Sequence, residues 1–335
     1  MPRPMVTLAD VAREAGVDSS TVSRAVNGTA SLSPATRTRV QRAIDKLGYQ
    51  PNRAARRLAG GRTGAIGIVV PDLTNPFFSA IARGAQRAAH EAGELTFIAD
   101  SDARPAEELA LAAQLARDVD GLLLCSPTAP TRQLDEAVRG RPTVLVNRRA
   151  RNRPSVAADQ EQAVEVAYRH VQSLGHREIA YVRGPTTKWI STVREPVAER
   201  LGARLVGPFA PTVAGGAEAA AALDPRVTAV ITHNDLVALG LVDALLSSGR
   251  RVPDDVSVVG CDDIEVAALV RPRLTSVAMP LDGLGRAGIA VLLQLLSPDA
   301  ASDADAGAMR RTLPVRLVER DSTAVPPAPA PAPGP

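Results

Sequence analysis

The stretch VTLADVAREAGVDSSTVSRAVNG, residues 6–28, decides how the N-terminal part of the chain folds. Leu8, Val11, Ala12 and Ala15 recur at i, i+3, i+4 and i+7, the spacing of one helix face. Thr7 stands before that face as an N-cap and Gly16 after it as a stop. Beyond Val17, Asp18 can cap a second helix with Val22, Ala25 and Val26 inward and Gly28 at its end. Two short helices joined by a tight turn at Gly16–Val17 make a helix-turn-helix. A third helix is expected from Ser33-Pro34, an N-cap followed by proline at the first helical position, through Val40, Ile44 and Leu47 to Gly48. The three apolar faces close a small core.

The outward face of the second helix carries Ser19, Ser20, Ser23 and Arg24, short hydrogen-bonding groups plus one guanidinium. In a major groove such groups suit base edges, and Arg24 is the residue able to grip guanine O6 and N7 together. Thr7, Thr21, Asn27 and Thr36 are candidate phosphate contacts. Charge supports this reading. Residues 1–62 carry 11 Lys and Arg against 4 Asp and Glu, a net of +7, whereas residues 63–335 carry 28 against 32, a net of −4. A basic head on a mildly acidic body points to a polyanionic partner for the head.

The body alternates apolar runs and helical patterns. GAIGIVVPD (64–72) reads as a buried parallel strand, followed by a helix over 77–92, strand LTFIAD, helix 105–117, strand 120–127, helix 131–139 and strand 142–148. The pattern restarts with helix 160–174, strands 178–185 and 228–235, helix 236–248, and strands 256–263 and 274–280. Such alternation predicts doubly wound parallel sheets. Two open α/β lobes in succession predict a cleft, with ligand groups at the carboxyl ends of strands. Asp72, Asn147, Asn234 and Asp262 stand at those ends.

Several function classes are excluded by what the sequence lacks. Cys125 and Cys261 have no Cys or His at metal-ligand spacing, so neither a disulfide scaffold nor a common zinc module is expected, and no metal or cofactor. His90, His170, His176 and His233 are scattered and build no catalytic order, so no enzyme is expected. GLGRAG (283–288) matches a dinucleotide fingerprint in letters only; it opens the apolar helix GIAVLLQLL. No run of 18 apolar residues and no apolar leader core occur, so a cytoplasmic protein without membrane contact is expected. SPDAASDADAG (297–307) reads as a surface loop, and residues 321–335, ending in PPAPAPAPGP, as a disordered tail.

Residues 6–28, continued by TRTRVQRAIDKLGYQPNRAARRLAG, closely resemble the DNA-binding head of the lac-repressor/galactose-repressor (LacI/GalR) transcription factors. IGIVVPDLTNPFF, DGLLL, GHREIAYVRGP, AVITHNDLVALG, RVPDDVSVVGCDDI and LTSVAMP resemble the sugar-binding core of the same family, shaped like periplasmic binding proteins. The resemblance covers roughly residues 5–320. It implies that Ser19, Ser20 and Arg24 read bases. It also implies that residues 52–60 form a hinge helix in the minor groove, with Leu58 as an intercalating wedge and Ala55 beside it. The residues agree: Asn52 can cap, Ala54, Ala55, Leu58 and Ala59 make a small apolar face, and Gly60-Gly61 ends it. So short a helix is not stable alone and should order only against its dimer mate on DNA. Carried over by position, effector contacts fall on Phe77, Phe78, Asn147, Arg194, Phe209, Asn234 and Asp262. The chain departs from the pattern after Arg194, where the following helix is shorter and contains Pro196. It departs also at Asn147, where an acid is common, and at Met279, where a polar residue often sits.

The expected architecture is therefore α/β. A helix-turn-helix domain (1–50) and a hinge (51–62) precede a two-lobed, doubly wound effector and dimerisation domain (63–320), with a tail (321–335). The expected function is a sequence-specific transcriptional repressor, a homodimer on a pseudo-palindromic operator, controlled by a sugar or related effector. The alternative is a cytoplasmic sugar-binding protein without DNA-dependent regulation.

Overall fold

The computed structural model describes residues 6–27, 32–49, 62–297 and 309–327. The chain divides into two compact units, Met1–Thr63 and Gly64–Pro335.

The first unit contains α1 (Leu8–Ala15), α2 (Ser19–Asn27) and α3 (Pro34–Leu47). Each begins on a side chain that takes over an orphan amide. Thr7 Oγ1 accepts from Asp10 N at 3.3 Å while Thr7 N donates to Asp10 Oδ2 at 2.9 Å, a reciprocal capping box. Asp18 accepts from Thr21 N at 2.6 Å, and Ser33 from Thr36 N at 3.1 Å. Gly16 and Gly48 end α1 and α3 at φ 63° and 64°, a conformation that penalises any side chain. Val11, Ala12, Ala15, Val22, Val40 and Ala43 form the core, joined by Tyr49.

The second unit is built on two six-stranded sheets. The first contains β1 (Ala65–Val70), β2 (Leu95–Asp100), β3 (Gly121–Cys125), β4 (Thr143–Val146), β5 (Ser155–Ala158) and, from near the C-terminus, β11 (Arg310–Leu313), in the order β11-β5-β4-β3-β1-β2. The second contains β6 (Ile179–Val182), β7 (Arg204–Val206), β8 (Ala229–Thr232), β9 (Ser257–Asp262), β10 (Thr275–Ala278) and β12 (Arg316–Val318), in the order β12-β10-β9-β8-β6-β7. All pairings are parallel except β10 with β12. Both sheets are wound alike, outward in both directions from their first strand. β1, β3, β4, β6 and β8 are buried along their whole length. That is why they read as continuous apolar runs and not as alternating ones.

Helices α4 (Pro76–Glu91), α5 (Pro105–Leu115), α6 (Thr131–Val138) and α11 (Leu281–Leu295) cover the first sheet. Helices α7 (Gln160–Ser173), α8 (Trp189–Leu201), α9 (Val213–Ala221) and α10 (Asp235–Ser247) cover the second. Neighbouring strand residues feed opposite cores. Leu122 and Leu124 pack with Ala112 and Leu134, whereas Leu123 and Cys125 pack with Ile81 and Ile289. The glycines of GLGRAG belong to this packing. A Cβ at Gly285 would lie 2.1 Å from the Ile81 carbonyl oxygen, and one at Gly84 2.4 Å from that of Asp282. The motif lets α11 seat directly on α4.

Two expectations are corrected. The lobes are not successive stretches, because the chain crosses between sheets three times, after β5, after β10 and after β11. Periodicity identifies an element but not the sheet it joins, and β5, β7, β11 and β12, with three or four residues each, left little signal. Residues 321–324 are also not tail. Asp321 pairs with Arg273 at 2.7 Å, and Ser322, fully buried, accepts from Thr275 N at 2.8 Å and donates to the Val258 carbonyl at 2.6 Å. Ala324 N donates to Ser257 Oγ at 3.0 Å. A polar Asp-Ser-Thr run hides here because its burial is satisfied by strand-edge groups. The hinge residues 51–61, the loop 298–308 and residues 328–335 lie outside the described residues.

Candidate functional site

In the head, Ser19, Ser20 and Arg24 are exposed on α2, while Thr21 and Ser23 are half-buried. The cap is Asp18 and not Ser19 or Ser20. Asp18 also accepts the Ser20 hydroxyl at 2.6 Å and that of Thr21 at 3.0 Å, and these bonds hold its carboxyl down to about 2. Arg24 lies back along its own helix, with 3.3 Å contacts from Nη2 to the hydroxyls of Ser20 and Thr21. Such long, exposed bonds exchange readily for a stronger acceptor. Thr7 is exposed, and Thr36 bonds the Ser33 hydroxyl at 2.8 Å. Asn27 closes α2, its side chain outside the described set, as are Asn52, Ala55 and Leu58 altogether. Asp18 thus engages the candidate DNA contacts Ser20 and Thr21, and Ser33 engages Thr36.

In the body, a cavity of about 220 Å³ opens where the carboxyl ends of the two sheets face each other. The first lobe contributes Asp72 and Asn75 after β1, Phe77 and Phe78 at the start of α4, Ser126 after β3 and Asn147 after β4. The second contributes Lys188, Ile190 and Arg194 from α8 and its approach, Thr212 before α9, His233 and Asn234 after β8, and Asp262 at the end of β9. In both sheets this is the switch point of the winding, where strands diverge and leave a crevice. Phe77 and Phe78 meet edge to face, ring centroids 5.0 Å apart. Ser126, Asn147 and Asp262 hold positive φ at 44°, 55° and 130°, so strained backbone collects at the strand ends that line the cleft.

A hydrogen-bonded chain runs across the cleft floor. Asn147 Nδ2 donates to Ser126 Oγ at 2.8 Å, Gln160 Nε2 donates to Asn147 Oδ1 at 3.0 Å, and Arg194 Nε donates to Gln160 Oε1 at 2.7 Å. Arg194 Nη1 then donates to the His233 carbonyl at 2.7 Å. Asn147, Gln160 and Arg194 are all nearly sealed from solvent, at 5%, 4% and 3% exposure. Gln160 is the first residue of α7, just past the first crossover, so it joins a first-lobe amide to a second-lobe guanidinium.

Electrostatics divides the acids from the cations. Burial, reinforced by Asp235, pushes the Asp262 carboxyl well above the usual range against the pull of Arg194. Burial pulls on the Arg194 guanidinium too, but nearby groups, Asp262 among them, more than offset it, and a guanidinium stays charged. Burial, with Arg194 and Lys188 nearby, takes the His233 imidazole down to about 3, so it is neutral at ordinary pH, with one ring nitrogen protonated and the other not. Cys125 and Cys261 are buried thiols pushed up to about 12, hence inert. No cluster of three His, Cys, Asp or Glu side chains able to hold a metal occurs among the described residues.

Six of the seven expected effector residues meet in this cavity. Phe209 does not; it packs on the second lobe's own core. Gln160, Ser126, Lys188, Asn75 and Thr212 were not anticipated. Ser126 follows a strand end and was open to the same rule that found Asn147, whereas nothing in the sequence marks Gln160. Pro196 sits inside α8, which runs on to Leu201 and ends at Gly202.

Two family models match the chain: bacterial regulatory proteins of the lacI family over residues 7–52, and a periplasmic binding protein-like domain over residues 168–323. Catabolite control protein A of Priestia megaterium is 32% identical over 338 residues, covering 95% of this chain and 99% of that protein. The chain belongs to the lacI family. The ribose operon repressor of Escherichia coli K12 is 32% identical to this lacI-family chain, over 88% of it and 94% of the relative. Among solved structures, a lac repressor dimer bound to operator and the anti-inducer ONPF is 28% identical over 96% of this chain and 99% of that one, with a TM-score of 0.78. A complex of the transcriptional regulator CelR with cellobiose is 33% identical over 96% and 100%, with a TM-score of 0.69. These relatives are regulators of transcription. Among the described residues no helix is long and apolar enough to cross a membrane.

Proposed function

We propose that this lacI-family chain is a repressor that binds an operator as a homodimer and whose affinity is set by a small polar effector, a sugar or related metabolite, held between its lobes. The observation that carries the proposal is the joining of two devices in one chain. One is a capped helix-turn-helix head with Ser19, Ser20 and Arg24 outward. The other is a body whose switch-point cleft is crossed by the Asn147–Gln160–Arg194 chain. Arg24, Ser19 and Ser20 read base edges in this proposal; Thr7, Thr21, Ser23, Asn27 and Thr36 position the head on phosphates; and Asn52, Ala55 and Leu58 act in the minor groove. Phe77 and Phe78 offer apolar faces to a ring, and Asn147, Arg194, Asn234 and Asp262 bond its hydroxyls.

Exposed apolar side chains supply a surface for the second copy. Leu95, Phe97 and Ile98 on the edge strand β2 are 44%, 48% and 37% exposed, and Leu269 is 68% exposed. An effector touching both lobes favours one relative lobe orientation by its difference in affinity, and residues 51–63 transmit that bias to the head. Against an enzymatic reading, His233 is neutral and buried and both thiols are inert. Genome-wide mapping of bound DNA, followed by titration of a mapped fragment at several salt concentrations with and without sugars, tests the proposal. We expect a palindromic site, salt-dependent affinity and a shift with at least one sugar. Binding that does not discriminate the mapped site from random duplex refutes it.

A further inference from the structure

Building on the reading of the cleft as an effector site, we infer that its ligand is an anionic polyol, a sugar bearing a phosphate or carboxylate, and that Lys188 holds the anionic group. Of 39 Lys and Arg residues in the chain only Lys46 and Lys188 are lysines. Almost everywhere that a surface cation pairs with an acid, this sequence uses arginine. Arg251 with Asp255, Arg273 with Asp321 and Arg286 with Glu91 are examples. Lys46 has a partner, Glu14, at 2.6 Å. Lys188 has no ion pair or side-chain hydrogen bond with any described residue, although it is half-buried in the cavity wall.

The surrounding charges do not neutralise it. The acid that attracts it most, Glu108, lies beyond ion-pair range and already accepts from the amides of Thr128 at 3.0 Å and Ala129 at 3.2 Å. Arg148, which also faces Glu108, repels Lys188 and spends its own donors on the carbonyls of Pro127 and Ala129. Across the cavity Asp72 is tied to Thr74, through N at 2.7 Å and Oγ1 at 2.6 Å. Asp262 is held toward its neutral form, while Arg194 stays charged. Arg194 is spent on Gln160 and the His233 carbonyl, which leaves Lys188 the cation of the lining without a bond to any described side chain. A cation half withdrawn from water without a counter-ion is costly, and that burial depresses its ammonium. An incoming anion recovers that cost. A lysine ammonium is a compact point charge with three donors on a flexible stem, able to meet a single phosphate or carboxylate oxygen from several directions.

The test uses the full chain and its single tryptophan, Trp189, which adjoins Lys188. Trp189 fluorescence and calorimetry follow titration with inorganic phosphate alone and with matched sets: ribose and ribose 5-phosphate, then glucose, glucose 6-phosphate and gluconate. We expect phosphate to bind weakly by itself, and an anionic member to bind roughly tenfold or more tightly than its neutral parent, the effect of one charge-assisted bond. Lys188→Met should erase that difference and the phosphate signal, and Lys188→Arg should restore part of it. The glucose 6-phosphate and gluconate arms separate phosphate from carboxylate. An unchanged urea midpoint shows that each variant is folded. If neutral sugars bind as tightly as their anionic partners and Lys188→Met alters neither, the inference is overturned and the sugar reading stands. If phosphate binds through Lys188 but no sugar or sugar derivative does, the anion site is supported and the sugar reading falls. Absence of binding by every probe overturns both.

Discussion

Gln160→Leu is the sharpest perturbation of the cleft. Leucine is one bond shorter than glutamine but close to it in volume, so it largely fills the space while removing the polar bridge. Two buried bonds vanish, one from Arg194 Nε at 2.7 Å and one to Asn147 Oδ1 at 3.0 Å. Arg194 keeps its bond to the His233 carbonyl and Asn147 its bond to Ser126, so both side chains stay roughly placed. What remains is an unsatisfied guanidinium N–H and an unsatisfied amide oxygen, each in a site at most 5% exposed. Each orphan costs about 1–3 kcal/mol, the charged one toward the upper end, so the body should lose roughly 2–5 kcal/mol. Gln160→Glu is the counter-variant. Its carboxylate keeps and strengthens the Arg194 bond, and Asn147 can turn its amide to donate while Ser126 donates to the freed oxygen. We expect a change of about 1 kcal/mol or less. Urea unfolding followed by Trp189 reports on the body alone, since the head contains no tryptophan. A Gln160→Leu protein within roughly 0.5 kcal/mol of the parent would refute the reasoning, because the chain across the lobes would then carry no free energy.

Four other outcomes follow from the structure. Burial pushes the Asp235 carboxyl up to about 6 despite bonds from Ser276 and Ile264. The folded state therefore holds that proton more tightly than the unfolded one, and stability present below about pH 4 is lost as pH rises through 6, by roughly 2–3 kcal/mol. Subtracting the pH–stability curve of Asp235→Asn from that of the parent should show this slope, and a flat difference contradicts it. Gly285→Ala should cost about 1–3 kcal/mol by overpacking, because the new methyl meets the Ile81 backbone; a neutral midpoint in urea would mean that α11 shifts freely on α4. Arg24→Ala should weaken specific binding by about 1–3 kcal/mol and relax one base pair per half-site, whereas equal loss on random duplex would make Arg24 a phosphate contact. Asp262→Ala should abolish the effector response of a mapped operator fragment while leaving effector-free DNA binding nearly intact; a normal response would remove Asp262 from the site.

The head was almost wholly legible in the sequence, because its information is local. Thr7, Asp18, Ser33-Pro34, Gly16 and Gly48 act on amides and dihedrals within a few residues of themselves, and the apolar spacing of 6–48 leaves one way to close three short helices. The strands of the body were legible for a similar reason, since a parallel strand buried on both faces must be apolar throughout. Tertiary structure alone decided what depends on distant partners. Nothing near Gln160 says that it lies between Asn147 and Arg194, which stand 13 residues before it and 34 after. Nothing in DSTA at 321–324 says that it completes the second lobe rather than beginning a tail. Burial of a polar side chain is favourable only when a partner from elsewhere in the chain satisfies it, and one-dimensional periodicity carries no record of that partner. The same holds for charge. Lys188 reads in sequence as one more surface cation, and only its place in the cleft wall, out of reach of Glu108, makes it a charge waiting for a counter-ion.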